Sequence, residues 1–279
     1  MTQPDGRGDF AGPVDRHLRR VLEETGAGYF VLLDPDRMET EALVDLAHRS
    51  EEHGVDALLV GSSITLKPSF AESVAAIRER VSLPVIIFPG NAFHVVPGAD
   101  AVFFLSLLSG RNAQLLVGEQ VKAAPLIKSY GLEAIPVGYL LVDSGERTSV
   151  EFMSATLPIP RDKPDIAMAH ALAAQYFGMR YVFMDGGSGG RMSAPTDMVR
   201  AVSGYVEIPL ILGGGIRVPD EAGAAVEAGA RFIVTGNVLE TDGRGTLVRA
   251  FADAIHAAGR ARPVRPAAGI AEEMAQPGT

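Results

Sequence analysis

The chain has 279 residues, 47% of them hydrophobic, with a formal net charge of −9 and neither cysteine nor tryptophan. The length suits one large α/β domain, and the apolar content is enough for a sizeable core. The negative charge argues against a general affinity for nucleic acid; the lack of cysteine excludes disulfides and thiolate metal sites and points to a cytoplasmic location; no apolar run approaches the length of a membrane span.

Residues 1–15 are polar and glycine-rich without the apolar core of a signal peptide, and are expected to form a flexible N-terminus. From Tyr29 onward, short apolar runs alternate with helical patterns. Strands are expected at 29–33, 57–60, 85–88, 101–105, 133–141, 181–184, 210–212 and 232–235. Most are rich in Val, Ile and Leu without polar alternation, as strands covered on both faces should be. Helices are expected at 40–53, 69–81, 113–129, 165–177, 196–203, 219–227 and near 245–258. Pro195-Thr196 and Pro219-Asp220 read as helix starts, and Gly54, Gly131, Gly178 and Gly229 sit where helices end. The stretch 91–97 is too short and apolar for a helix, so the unit after the third strand is expected to be irregular. Residues 259–279, rich in Ala, Pro, Arg and Gly, read as a flexible tail. The pattern predicts a TIM-like (β/α)8 barrel as a single domain over 16–258. An open doubly wound sheet fits less well, because glycine-rich and acidic turns follow many strands rather than one switch point.

In such a barrel the reactive groups stand where the strands end. Two late strands end in glycine before a helical segment, as Gly213-Gly214-Gly215-Ile216-Arg217 and as Thr235-Gly236-Asn237. Glycine lets the backbone approach a ligand and turn its N–H groups toward an anion, so the pair reads as a phosphate cup. The run Gly186-Gly187-Ser188-Gly189-Gly190 almost lacks bulk and suits the same task. Asp185 in front of it only accepts hydrogen bonds when ionised, which suits substrate hydroxyls. Asp34 follows the first strand, and with a hydroxyl such as Ser63 it suits Mg²⁺; an Asp there also serves as a turn former, and a serine as a helix cap. No metal-binding histidine pair or Gly-x-Ser-x-Gly elbow is present. The chemistry reads as displacement or isomerisation of a phosphorylated substrate. An aldolase or isomerase would need a rim lysine or a Glu or His base, and Lys67, Lys122 and Lys128 lie away from the strand ends.

Several runs together carry a resemblance: Leu32-Leu33-Asp34-Pro35-Asp36, Val60-Gly61-Ser62-Ser63, Phe88-Pro89-Gly90-Asn91, Ser106 through Asn112, Pro158 through Pro164, and the glycine runs. The chain resembles the geranylgeranylglyceryl phosphate synthases and their bacterial PcrB-type relatives over residues 20–255, and is most like the longer second group. The resemblance implies a Mg²⁺-dependent prenyltransferase. It would join sn-glycerol 1-phosphate to a polyprenyl diphosphate, of geranylgeranyl type, giving an ether-linked prenylglyceryl phosphate and free diphosphate. It also implies a homo-oligomer. It puts Mg²⁺ on Asp34 and Ser63. Glycerol phosphate falls on Phe183, Met184, Asp185, Gly186, Gly187, Ser188, Gly189, Gly214, Gly215, Gly236 and Asn237, with Asp185 as the catalytic carboxylate.

Two departures stand out. The family's sixth strand usually ends Tyr-Leu-Glu, whereas here it ends Phe183-Met184-Asp185, which removes a phenol and shortens the carboxylate arm by a methylene. Ser109-Gly110 stands where Asn-Ser is usual. Alternative expectations are therefore a different three-carbon phosphate acceptor, or a barrel that binds phosphate without turnover. Phe88, Phe93, Phe103, Phe104 and Tyr139 are candidates for a prenyl groove, and none carries an assigned role in chain length.

Overall fold

Strand follows strand around a closed parallel barrel in chain order: β1 (Gly28–Leu33), β2 (Ala57–Val60), β3 (Val85–Ile87), β4 (Ala101–Leu107), β5 (Glu133–Leu141), β6 (Tyr181–Asp185), β7 (Leu210–Gly213) and β8 (Phe232–Thr235). These come from a computed structural model that describes residues 11–64, 66–240 and 242–261. The barrel closes where β8 pairs with β1, Phe30 opposite Val234.

Alternation along the strands sorts the core into two layers. Phe30, Leu59, Ile86, Phe103, Val137, Phe183, Ile211 and Phe232 fill the barrel interior. Val31, Leu58, Val182, Met184 and Leu212 face outward, packed against the helices. Both faces are covered, which is why the strands read as continuous apolar runs. Inside, Phe30 stacks on Phe232 with ring centroids 4.6 Å apart, a pair worth roughly 0.5–1.5 kcal/mol beyond its area.

The helices are α1 (Pro13–Thr25), α2 (Thr40–Glu52), α3 (Phe70–Arg80), α4 (Glu119–Tyr130), α5 (Ser149–Ser154), α6 (Pro164–Tyr176), α7 (Thr196–Tyr205), α8 (Pro219–Ala228) and α9 (Thr246–Ala261). The expected irregularity is present: β3 is followed by a 3₁₀ turn, Ala92–His94, and no α-helix. Where one helix is expected over 113–129, a π-helical turn (Gln114–Gly118) leads into α4.

Two helices were not foreseen. α1 begins inside the segment expected to be flexible, and Val14, Leu18 and Val21 plug the N-terminal end of the barrel from below. Their i, i+4, i+7 spacing and Pro13 at the first helical position are the sequence signal for it. Its N-terminal N–H groups are satisfied by Glu133 at the start of β5, which accepts from Val14 N at 2.7 Å and Asp15 N at 3.1 Å. Asp15 is fully buried and accepts from the Tyr181 hydroxyl at 2.8 Å. α5 is the other, a short helix between β5 and α6, capped by Thr148. α9 runs to Ala261, past the start of the expected tail; the rest of that tail, and residues 1–10, lie outside the described residues.

Candidate active site

A cavity of about 600 Å³ opens at the C-terminal end of the barrel, within the range of small-molecule sites. One part of its lining is the glycine-rich rim: Gly187, Ser188 and Gly189 after β6, Gly214 and Gly215 after β7, and Gly236 and Asn237 after β8. Another part is apolar and takes in both faces of β4, the inward Phe103 and Leu105 and the outward Val102 and Phe104, together with Leu115 and with Ala123 and Ile127 of α4. The cavity therefore runs from the barrel mouth into the space that a helix after β3 would have filled. Glu119 of α4 spans that space, accepting from the Ala92 N–H at 2.7 Å.

The glycines are dictated by crowding. Gly187 has φ +83°, and a β-carbon there would lie 2.5 Å from Thr148 Oγ1, the residue that caps α5. The roof helix α5 thus sits directly on the glycine run, and its Val150, Met153 and Ser154 line the cavity.

Asp185 ends β6, pairs in register with Leu141 and Gly213, and keeps only 8% of its surface exposed. Its Oδ1 accepts from Gly187 N at 2.8 Å and its Oδ2 from the Tyr139 hydroxyl at 2.5 Å. Burial pushes its carboxyl above the usual range, and those two donors offset the rise only in part. The Tyr139 phenol is pushed far above its ordinary value, by burial first and then by the neighbouring carboxylate.

Across the mouth, Asp34 and Ser63 line the same cavity. Burial raises the Asp34 carboxyl, and the charge of Asp36 adds to the rise, while the Asp36 N–H at 3.0 Å and the Ser62 hydroxyl work against it. Asp36 also organises the loop after β2, accepting from Ser62 Oγ at 2.8 Å and from Lys67 N at 2.8 Å. A half-buried carboxylate beside a second one, with hydroxyls at hand, is a donor set that would suit a hard divalent cation. Among the described residues no group of three or more His, Asp or Glu side chains is arranged to hold a metal, so Mg²⁺ here would complete its shell with water and phosphate oxygens.

Of the residues singled out from the sequence, Phe183, Asp185, Gly187, Ser188, Gly189, Gly214, Gly215, Gly236, Asn237, Asp34 and Ser63 converge on this cavity. Met184 does not: it is fully buried in the outer layer, because alternation turns it away from its neighbours Phe183 and Asp185. Gly186 does not line the cavity either; its N–H donates to Gly213 O at 3.1 Å and helps tie the two rim turns together. Sequence reasoning gave Tyr139 only as a groove residue. Its place beside Asp185 depends on the pairing of β5 with β6, which puts Tyr139 opposite Phe183. Arg217, which ends the glycine run after β7, lines the cavity as well.

Comparison with known proteins agrees with this geometry. The chain matches the PcrB family over residues 19–255. It is 46% identical to a geranylgeranylglyceryl phosphate synthase of Spirosoma linguale over 214 residues, covering 77% of this chain and 86% of that protein. It is 45% identical to one of Thermococcus kodakarensis over 233 residues, covering 83% and 91%. Among solved structures it is similar to (S)-3-O-geranylgeranylglyceryl phosphate synthase from Thermoplasma acidophilum in complex with its substrate sn-glycerol-1-phosphate, with a TM-score of 0.83 and 35% identity over 88% of this chain and 99% of that one.

Proposed function

The chain belongs to the PcrB family, and from that premise we propose that it is a prenyltransferase joining sn-glycerol 1-phosphate to a polyprenyl diphosphate, with release of diphosphate. The observation that carries the reading is a single cavity in which a glycine-rich anion cup and a buried carboxylate open directly into an apolar passage. The two parts match the two ends of the product, a polar phosphate head and a hydrocarbon tail.

In this reading the glycine turns after β6, β7 and β8 hold the phosphate of the acceptor through backbone N–H groups, with the Ser188 hydroxyl as a further donor. Asp185 accepts the proton of the acceptor hydroxyl. The oxygen lone pair forms the new C–O bond at the allylic carbon, the old C–O bond breaks, and its electron pair leaves with the diphosphate. Burial raises the pKa of Asp185, which makes it a stronger base than an exposed aspartate. Asp34 and Ser63 would hold Mg²⁺, which when bound neutralises charge on the departing diphosphate. Phe104, Leu115, Ala123 and Ile127 offer the prenyl chain an apolar wall and exclude water from the allylic carbon.

The reading extends to assembly and place. Val117, Val121, Tyr130, Tyr176 and Phe177 are exposed apolar side chains on the outer helices and their flanks, and support a homo-oligomer. Among the described residues no helix is long and apolar enough to cross a membrane, and the cysteine-free composition supports a cytoplasmic location.

The test is a product assay with purified protein, Mg²⁺, sn-glycerol 1-phosphate and geranylgeranyl diphosphate, with dihydroxyacetone phosphate and glycerol 3-phosphate as rival acceptors. Prenylglyceryl phosphate from sn-glycerol 1-phosphate is the expected product. Product with another three-carbon phosphate alone would reassign the acceptor. Phosphate binding without any product would leave a binding barrel.

A further inference from the structure

The sixth strand carries Phe183 and Asp185 on its inward face, and neither supplies a phenol. The adjacent strand does. Tyr139 stands opposite Phe183, with ring centroids 5.6 Å apart, and its hydroxyl reaches one layer up to Asp185 Oδ2 at 2.5 Å. Phe88 packs against both rings, 5.1 Å from Phe183 and 6.1 Å from Tyr139, so the phenol has a fixed direction. Gly187 N holds the other carboxylate oxygen at 2.8 Å. With one donor on each oxygen the carboxylate cannot turn, and each oxygen keeps a lone pair for a substrate hydroxyl.

We propose that Tyr139 is a positioning residue for the proton transfer: its phenol pins the short Asp185 arm in the orientation and ionisation state that accept the acceptor's hydroxyl proton. The inference rests on the prenyl-transfer reading for its catalytic meaning, and on geometry for the pairing itself. The phenol remains protonated throughout the neutral range, so it is a donor to Asp185 and not a competing base. On the β7 side a β-carbon on Gly214 would lie 2.5 Å from Oδ1, and Arg217, beyond that turn, lines the same cavity without a hydrogen bond to Asp185 among the described residues. Tyr139 is thus the titratable side chain hydrogen-bonded to the carboxylate, and a charge-assisted bond in a buried place carries more weight than one at a surface.

The experiment compares wild type, Tyr139→Phe and a variant with 3-fluorotyrosine at position 139. Tyr139→Phe keeps the ring and its packing. For it kcat should fall by about 10- to 100-fold while KM for glycerol phosphate moves by less than about 3-fold, and the acid limb of the kcat profile should move to higher pH. The carboxyl itself is read independently of turnover, by ¹³C NMR titration of aspartate-labelled protein with Asp185 assigned through Asp185→Asn. The Asp185 midpoint should rise in Tyr139→Phe and fall with the stronger donor 3-fluorotyrosine. An unmoved midpoint in both overturns the inference, as does a Tyr139→Phe enzyme with wild-type kcat and pH profile. If wild type makes no prenylglyceryl phosphate while the midpoints shift as stated, the pairing stands and the prenyl-transfer reading fails.

Discussion

Gly214 lies so close to Asp185 that a β-carbon on it would stand 2.5 Å from the carboxylate Oδ1, and 2.7 and 2.8 Å from the N–H nitrogens of Gly186 and Gly187. Two rim turns from different strands are therefore packed backbone to backbone, and the seventh strand's glycine sets the position of the sixth strand's carboxylate. Its φ of +73° adds a conformational reason for glycine. Gly214→Ala should lower kcat/KM for glycerol phosphate by about 100-fold, because both the anion cup and Asp185 must shift. The barrel should still fold, with a lowered Tm from about 1–2 kcal/mol of left-handed backbone strain. Steady-state kinetics beside a thermal melt check the two halves separately.

The Asp34 carboxyl is raised by burial, so at neutral pH its charge is held at a cost that a cation would relieve. Wild-type protein should gain thermal stability from Mg²⁺ with diphosphate, and Asp34→Ala should lose that gain together with turnover. EDTA should abolish product formation in wild type, and added Mg²⁺ should restore it. Full activity after chelation would remove Mg²⁺ from the reaction.

Asp185 gives a pH dependence with a definite sign. Its folded pKa lies above the unfolded value of about 3.9, so the folded state binds more protons in between. This contribution to stability is fully present below the unfolded pKa and is lost as pH rises through the folded pKa. Asp185→Asn should then melt higher than wild type at neutral pH and lose that advantage in acid, while its kcat falls by about 10²- to 10⁴-fold. Melts at several pH values decide it; a variant that melts lower at neutral pH would show that the buried charge is fully compensated.

At the opposite end of the barrel, Glu133 accepts from the first N–H groups of α1. Glu133→Ala should cost about 1–2 kcal/mol by uncapping that helix, and should leave kcat and both KM values near wild type, since the reacting end is the other one. Chemical denaturation with parallel kinetics measures both.

Much of this was legible in the chain. The eight apolar runs are the eight strands within a few residues, because a strand buried on both faces must be continuously apolar. The helix missing after β3 could be read from 91–97, where no amphipathic length exists. The glycine turns declared themselves as well, since few residues tolerate backbone at those angles. α1 was missed although Val14, Leu18 and Val21 carry its period, because the polar, glycine-rich residues before it drew the flexible boundary too far along. α5 is too short to show a period at all.

The sequence by itself determined the barrel, the order of its strands and the glycine-rich and acidic positions at their ends, because periodicity, glycine and acidic side chains act locally. Which of those residues share one space was decided only by the closed sheet. Strand pairing put Tyr139 against Asp185, alternation sent Met184 into the outer layer, and the absent helix joined the glycine-rich rim to an apolar passage along α4. Side chains far apart in the chain meet by register, and register is settled by the packing of the whole barrel rather than by any one segment.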